Sequence, residues 1–163
     1  MEGRELRRGD QYCAAAEIEL KSPDQPELWD STNSRYITKG ARKMSKIVVV
    51  DDSYAELQMI EGCLKGANHT VVSFPNSDKL EEKVAIEKPD LIVLDVVMPG
   101  RNGFQTCRDL KSDDRCKDIP IILCTSKGNE SDKFWGQQQG ANGYIVKPFK
   151  TEDLLAAVKK AMG

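Results

Sequence analysis

The sequence predicts a doubly wound α/β fold, an open five-stranded parallel sheet with helices on both faces. Three observations predict it. Five short apolar runs, KIVVVD (46–51), HTVVSF (69–74), DLIVLD (90–95), IPIILCT (119–125) and GYIVK (143–147), are rich in β-branched residues. Their near-continuous apolarity suits strands buried on both faces. Stretches of helical apolar spacing separate them, the alternation that builds such a sandwich. Four of the runs end on polar groups: Asp51 with Asp52, then Asp95, Thr125 and Lys147. In an open parallel sheet, ligands bind outside the carboxyl ends of the strands. The polar ends therefore predict a site as well as a fold.

The elements follow in order. Residues 1–43 read as an N-terminal extension, expected to be flexible, ahead of one domain over 44–163. They contain no strand-like run, carry Gly3, Gly9, Pro23, Pro26 and Gly40, and have eight basic and eight acidic side chains. CAAAEIELK (13–21) has helical character but is too short to be stable alone in water. Two other readings of the extension are sequence upstream of a start at Met44, and a docking segment whose apolar anchors are Leu28, Trp29, Tyr36 and Ile37. After the first strand, Ser53 reads as an N-cap, with Ala55, Leu57, Ile60 and Leu64 at helical spacing up to Gly66. After the second strand, Asn76 or Ser77 is expected to cap a helix with Leu80, Val84 and Ile86 inward, stopped by Pro89. Pro99 and Gly100 mark a loop before a helix containing Phe104, Cys107 and Leu110. A helix through Phe134 and Trp135 ends before Gly140; adjacent residues on a helix cannot both face the core, so one of the two aromatics is expected near the surface. TEDLLAAVKKAM (151–162) starts with a capping pattern at Thr151 and ends with Lys159 and Lys160, which suit the C-terminal end of a helix dipole. A 2-1-3-4-5 strand order would bring Asp51, Asp52 and Asp95 together at its reversal point.

Composition excludes several classes of function. With 24 basic and 26 acidic residues there is no excess charge for nucleic acid. One histidine, His69, leaves little for zinc sites or Ser-His-Asp triads. The five cysteines, Cys13, Cys63, Cys107, Cys116 and Cys124, form no C-x-x-C pair and read as reduced thiols, with Cys124 a core residue. No apolar run approaches the roughly 20 residues of a membrane span, and no secretory signal opens the chain. A cytoplasmic protein without membrane or nucleic-acid contacts is the expectation.

The chemistry follows from the polar ends. Asp51 and Asp52 are adjacent, so both serve one site only if the strand stops there and the chain turns. Three carboxylates repel one another unless a cation neutralises them. Oxygen ligands with room for water favour Mg²⁺. A carboxylate can also attack phosphorus and form an aspartyl phosphate. Lys147 would then neutralise one phosphoryl oxygen, and Thr125 Oγ could hold another. The Lys147–Pro148 bond is a candidate cis peptide.

VVDDS (49–53), LIVLDVVMPGRNGF (91–104), IILCTS (121–126) and GANGYIVKPF (140–149) carry a family likeness. Residues 46–163 resemble the receiver domain of two-component response regulators, in particular the single-domain CheY type. The resemblance implies that Asp95 is the phosphoacceptor, charged by a histidine kinase or phosphotransfer protein. It implies Mg²⁺ held by Asp51, Asp52, Asp95 and the Val97 carbonyl, with Thr125 and Tyr144 as switch residues. It also implies that Val97 and Lys127 tune dephosphorylation, and that the face of the fourth helix, fifth strand and fifth helix meets a downstream protein. Enzymatic activity is expected only toward the chain's own phosphorylation and dephosphorylation. SKGNESDKFWGQQQGANGYIVKPF (126–149) is further similar to single-domain regulators of type IV pilus motility and phototaxis. Because the chain ends at Gly163, output through protein contacts or onward phosphotransfer is expected, rather than through a DNA-binding module. An aspartate-nucleophile, Mg²⁺-dependent phosphatase is the competing class, but it wants an acid two residues after its nucleophile, where Val97 stands. A flavin-binding flavodoxin-like module would need a phosphate-cradling loop in place of DDSYAE (51–56).

Overall fold

The computed structural model describes residues 28–30, 35–37 and 44–163. The chain divides into two units, Met1–Ala41 and Arg42–Gly163. In the first, strands β1 (Leu28–Asp30) and β2 (Arg35–Ile37) pair antiparallel, with Leu28 opposite Ile37 and Asp30 opposite Arg35. The sequence reading expected no strand here. Three residues are too few to display an alternating pattern, even when Trp, Tyr and Ile favour strand. The possible helix at 13–21 lies outside the described residues.

The second unit runs β3 (Lys46–Val50), α1 (Tyr54–Gly66), β4 (Thr70–Phe74), α2 (Leu80–Glu87), β5 (Leu91–Asp95), α3 (Gly103–Ser112), β6 (Ile121–Thr125), α4 (Glu130–Gln138), β7 (Gly143–Val146) and α5 (Thr151–Met162). The five strands form one parallel sheet in the order β4-β3-β5-β6-β7. Counted within the sheet this is the expected 2-1-3-4-5. No helix among the described residues is long and apolar enough to cross a membrane.

Strand periodicity divides the core in two. Ile47 and Val49 face one side of the sheet and meet Leu57, Ile60 and Leu64 of α1 and Leu154 and Val158 of α5. Val48 and Val50 face the other side and meet Leu80 and Val84 of α2 and Cys107 and Leu110 of α3. Each fully buried Val, Leu or Ile contributes about 1.5–3 kcal/mol relative to exposure. Burial on both faces is what made the strand runs continuously apolar.

Several expected positions are corrected. Ala55 is exposed, and the buried face of α1 is Leu57, Ile60 and Leu64. Neither Asn76 nor Ser77 caps α2. Asn76 Oδ1 accepts the Asp78 N–H at 3.2 Å and the Ser77 carbonyl accepts the Leu80 N–H at 3.2 Å, so a turn intervenes. Lys79, at φ 49°, then leads into the helix at Leu80. Ile86 is 79% exposed because it lies two residues from Val84, on the opposite side of the helix. Thr151 is the first residue of α5 rather than its cap. Lys150 takes the cap position, and its N–H donates to Asp153 Oδ2 at 3.2 Å.

On α4, Phe134 and Trp135 are both 57% exposed and stack edge to face, 6.2 Å between centroids. Only one was expected outward. The helix makes its buried contact through Gly136 instead. A Cβ there would stand 3.0 Å from Leu123 Cδ1 and 3.2 Å from Tyr144 Cδ2, so glycine lets the helix lie close to β6 and β7.

Candidate functional site

The ends of β3, β5, β6 and β7 converge. Asp51 follows β3 and Asp95 closes β5, which pair directly at the reversal of strand order. Both aspartates are buried, at 1% and 4% exposure, while Asp52 is exposed. The chain bends at Asp52, as two adjacent acids at one site require. Asp51, Asp52 and Asp95 each offer an oxygen within 4.8 Å of the other two.

Asp51 is fixed at both oxygens, by a local turn at one and by a distant strand end at the other. Its Oδ1 accepts the Ser53 N–H at 2.9 Å, and its Oδ2 accepts from Lys147 Nζ at 2.6 Å. Ser53 caps α1, with Oγ accepting the Glu56 N–H at 3.5 Å. Lys147 follows β7, and its N–H donates to the Thr125 carbonyl at 2.8 Å. The Lys147–Pro148 peptide is cis. The Lys147 ammonium, only 11% exposed, also donates to Asp95 Oδ1 at 3.1 Å and pairs with Glu56 Oε2.

Thr125 is fully buried at the end of β6, and Asp95 lies opposite its neighbour Cys124. Its Oγ1 accepts the Lys127 N–H at 3.2 Å. Tyr144, near the start of β7 and opposite Leu123, donates its hydroxyl to the Lys127 carbonyl at 2.7 Å. Thr125 and Tyr144 thus grip the two sides of one loop residue, whose own side chain is exposed. Val97 is 49% exposed in the loop after β5. Arg101 pairs with Glu81 and Asp109, and Ser77 Oγ donates to the Arg101 carbonyl at 3.3 Å, so α2 and α3 hold this loop. Gly103 brings α3 hard against β5: a Cβ would stand 2.1 Å from the Asp95 carbonyl oxygen.

Three carboxylates, those of Asp51, Glu56 and Asp95, surround one ammonium, and Asp52 lies beside Asp51 and Asp95. Burial raises the Asp95 pKa to about 6, against the opposing pull of Lys147 and with further push from Asp51 and Glu56. Burial also pulls the Lys147 ammonium down, but bonds to Asp51 and Glu56 and the charge of Asp95 outweigh it and hold it above the usual lysine range. The net charge is negative, the ligands are oxygens and one carboxylate is exposed, a donor set suited to a hydrated divalent cation. Cys124 is no nucleophile: burial pushes its thiol up to about 12.

The sequence-derived residues fall in two groups. Asp51, Asp52, Asp95 and Lys147 form one cluster; Thr125, Lys127 and Tyr144 form a chain of hydrogen bonds beside it. Glu56 was missed. The signal was a carboxylate in the first turn after the acidic pair, disguised by its place in an S-x-x-E capping pattern.

Comparison with known proteins follows the same lines. Residues 47–159 match the family model of the response regulator receiver domain. The chain is 39% identical over 119 residues to protein PilH of Pseudomonas aeruginosa, covering 73% of this chain and 98% of PilH. It is 38% identical over 116 residues to the phosphate regulon transcriptional regulatory protein PhoB of the same organism, covering 71% of this chain and 51% of PhoB. Among solved structures, chemotaxis protein CheY4 of Vibrio cholerae superposes with a TM-score of 0.69 at 30% identity, over 73% of this chain and 99% of CheY4. The N-terminal receiver domain of RstA from Klebsiella pneumoniae does so with a TM-score of 0.67 at 35% identity, over 72% of this chain and 97% of that domain.

Proposed function

This chain belongs to the response regulator receiver domain family of two-component signalling, and we propose that Asp95 is its phosphoacceptor and that phosphorylation switches its affinity for a protein partner. The observation that carries the reading is Lys147, shared between Asp51 and Asp95 at 2.6 Å and 3.1 Å. An Asp95 oxygen attacks phosphorus, the O–P bond forms, and the P–N bond to a donor histidine breaks, its electron pair taken by the imidazole. Lys147 neutralises charge on the transferred group, and the buried Thr125 hydroxyl is the candidate donor to another of its oxygens. Asp51, Asp52, Asp95 and the Val97 carbonyl are the candidate ligands for Mg²⁺. When bound, Mg²⁺ supplies charge neutralisation for the phosphoryl transfer.

The readout runs through Lys127. If the Thr125 hydroxyl turns to the phosphoryl group, its grip on the Lys127 N–H loosens, and Tyr144 is bonded to the same residue's carbonyl. Movement of Tyr144 then alters the surface of α4, β7 and α5, where Phe134 and Trp135 are exposed. A histidine kinase upstream and a protein target on this face are the partners proposed. Similarity to PilH and CheY4 supports a motility or taxis output.

Incubation with Mg²⁺ and a small acyl phosphate tests the assignment by intact mass. One phosphoryl group is expected on the wild type and none on Asp95→Asn. Full labelling of Asp95→Asn would sink the role of Asp95.

A further inference from the structure

Lys147 is held by more carboxylates than a phosphoryl site needs. Its ammonium has three N–H bonds. Asp51 takes one at 2.6 Å, Asp95 another at 3.1 Å, and Glu56 Oε2 the third. An entering phosphoryl oxygen can bond Lys147 only by displacing one of them.

The three partners are unequal. Asp51 is almost wholly buried and tethered by the Ser53 N–H; Asp95 is almost as buried. Displacing Asp51 would leave a buried carboxylate short of a partner, which is costly. The Glu56 side chain is 38% exposed and can take its carboxylate back into water. Its freedom has a local cause. In a closed capping box the glutamate would accept the Ser53 N–H. Here Asp51 Oδ1 has taken that N–H, so the Glu56 carboxylate turns to Lys147 instead.

We propose that Glu56 is a displaceable placeholder, occupying the Lys147 N–H that the phosphoryl group takes and repelling anionic donors, so that it restrains phosphorylation of Asp95. It is a positioning residue acting through Lys147, and the inference rests on Asp95 being the acceptor. With an acyl phosphate as donor, the Asp95 O–P bond forms, the acyl O–P bond breaks, and the carboxylate leaves. Both the donor and the leaving group are anions, so one fixed negative charge at the rim opposes the encounter.

The test is the phosphorylation rate of the full chain with acetyl phosphate at saturating Mg²⁺, for wild type, Glu56→Gln, Glu56→Asp and Asp95→Asn. Glu56→Gln is expected to react about fivefold faster at low ionic strength, the order of effect of one unit charge beside a partly exposed site. The gain narrows as salt screens it. Glu56→Asp keeps the charge but shortens the reach to Lys147, and its rate falls between the two. A purely structural role would move the urea midpoint and leave the salt dependence of the rate untouched. A Glu56→Gln rate equal to or below wild type overturns the proposal while the Asp95 assignment stands. Absence of labelling on the wild type, or full labelling of Asp95→Asn, overturns both.

Discussion

Asp95→Asn is expected to make the metal-free protein more stable. Asp95 is 4% exposed, and its pKa is raised from 3.8 to about 6, chiefly by burial. A native pKa above the unfolded one means that ionisation opposes folding. The shift of about 2 units corresponds to about 3 kcal/mol at neutral pH. Asparagine keeps the shape and an oxygen for Lys147 but loses some charge attraction, so a net gain of about 1–3 kcal/mol is expected at pH 7.5. The sign with pH follows. The wild type's protonated Asp95 contributes fully below about pH 4, and that contribution is lost as pH rises through about 6. The gap between variant and wild type is therefore widest above pH 7 and closes toward pH 4. Urea unfolding in a chelator at pH 4.5, 6 and 7.5 measures it. With saturating Mg²⁺ the wild type should recover part of the difference, because an ion bound only by the native state adds stability. A variant no more stable than wild type at pH 7.5, or a gap that grows at low pH, would refute the reasoning.

Two further predictions concern the rim of the site. Gly103→Ala drives a Cβ into the Asp95 carbonyl, where 2.1 Å is available, and should cost about 1–3 kcal/mol in urea and slow phosphorylation; a loss under about 0.5 kcal/mol would mean that α3 shifts freely. Val97 has no group to orient an attacking water, so Val97→Asn should shorten the phosphoryl lifetime by on the order of tenfold. An unchanged decay of the labelled mass would remove Val97 from the tuning positions.

The sheet and the polar ends of its strands were legible because buried strands are apolar on both faces, and a charge directly after such a run must be paired or solvated. LIVLD (91–95) states this in five letters, and the structure buries all five. Glu56 was illegible for the opposite reason. Its sequence neighbourhood already offered a sufficient local job as a capping partner of Ser53; Asp51 Oδ1 takes the Ser53 N–H instead, and only the tertiary contact with Lys147, 91 residues away, shows where the Glu56 carboxylate goes. Asn76 and Ser77 misled similarly, since the residues that cap helices also make turns. Both exposed aromatics on α4 required knowing that Gly136, not a large side chain, is the contact point. Propensity describes which residues can pack, whereas the choice of a small residue at a contact belongs to the neighbouring elements.

The ion pair of Lys147 with Asp51 spans 96 residues of chain, and that with Asp95 spans 52. No local hairpin or helix contains either pair. They exist only when β3, β5 and β7 are all in the sheet, so this site is absent from every partly unfolded form that has lost one of those strands. A ligand bound here does not protect a neighbourhood; it raises the free energy of opening for the strands at once. In hydrogen exchange, the slowing caused by a bound ligand should therefore extend to amides as remote as those of β7 and β3, and the chemical site should report on the integrity of the whole domain.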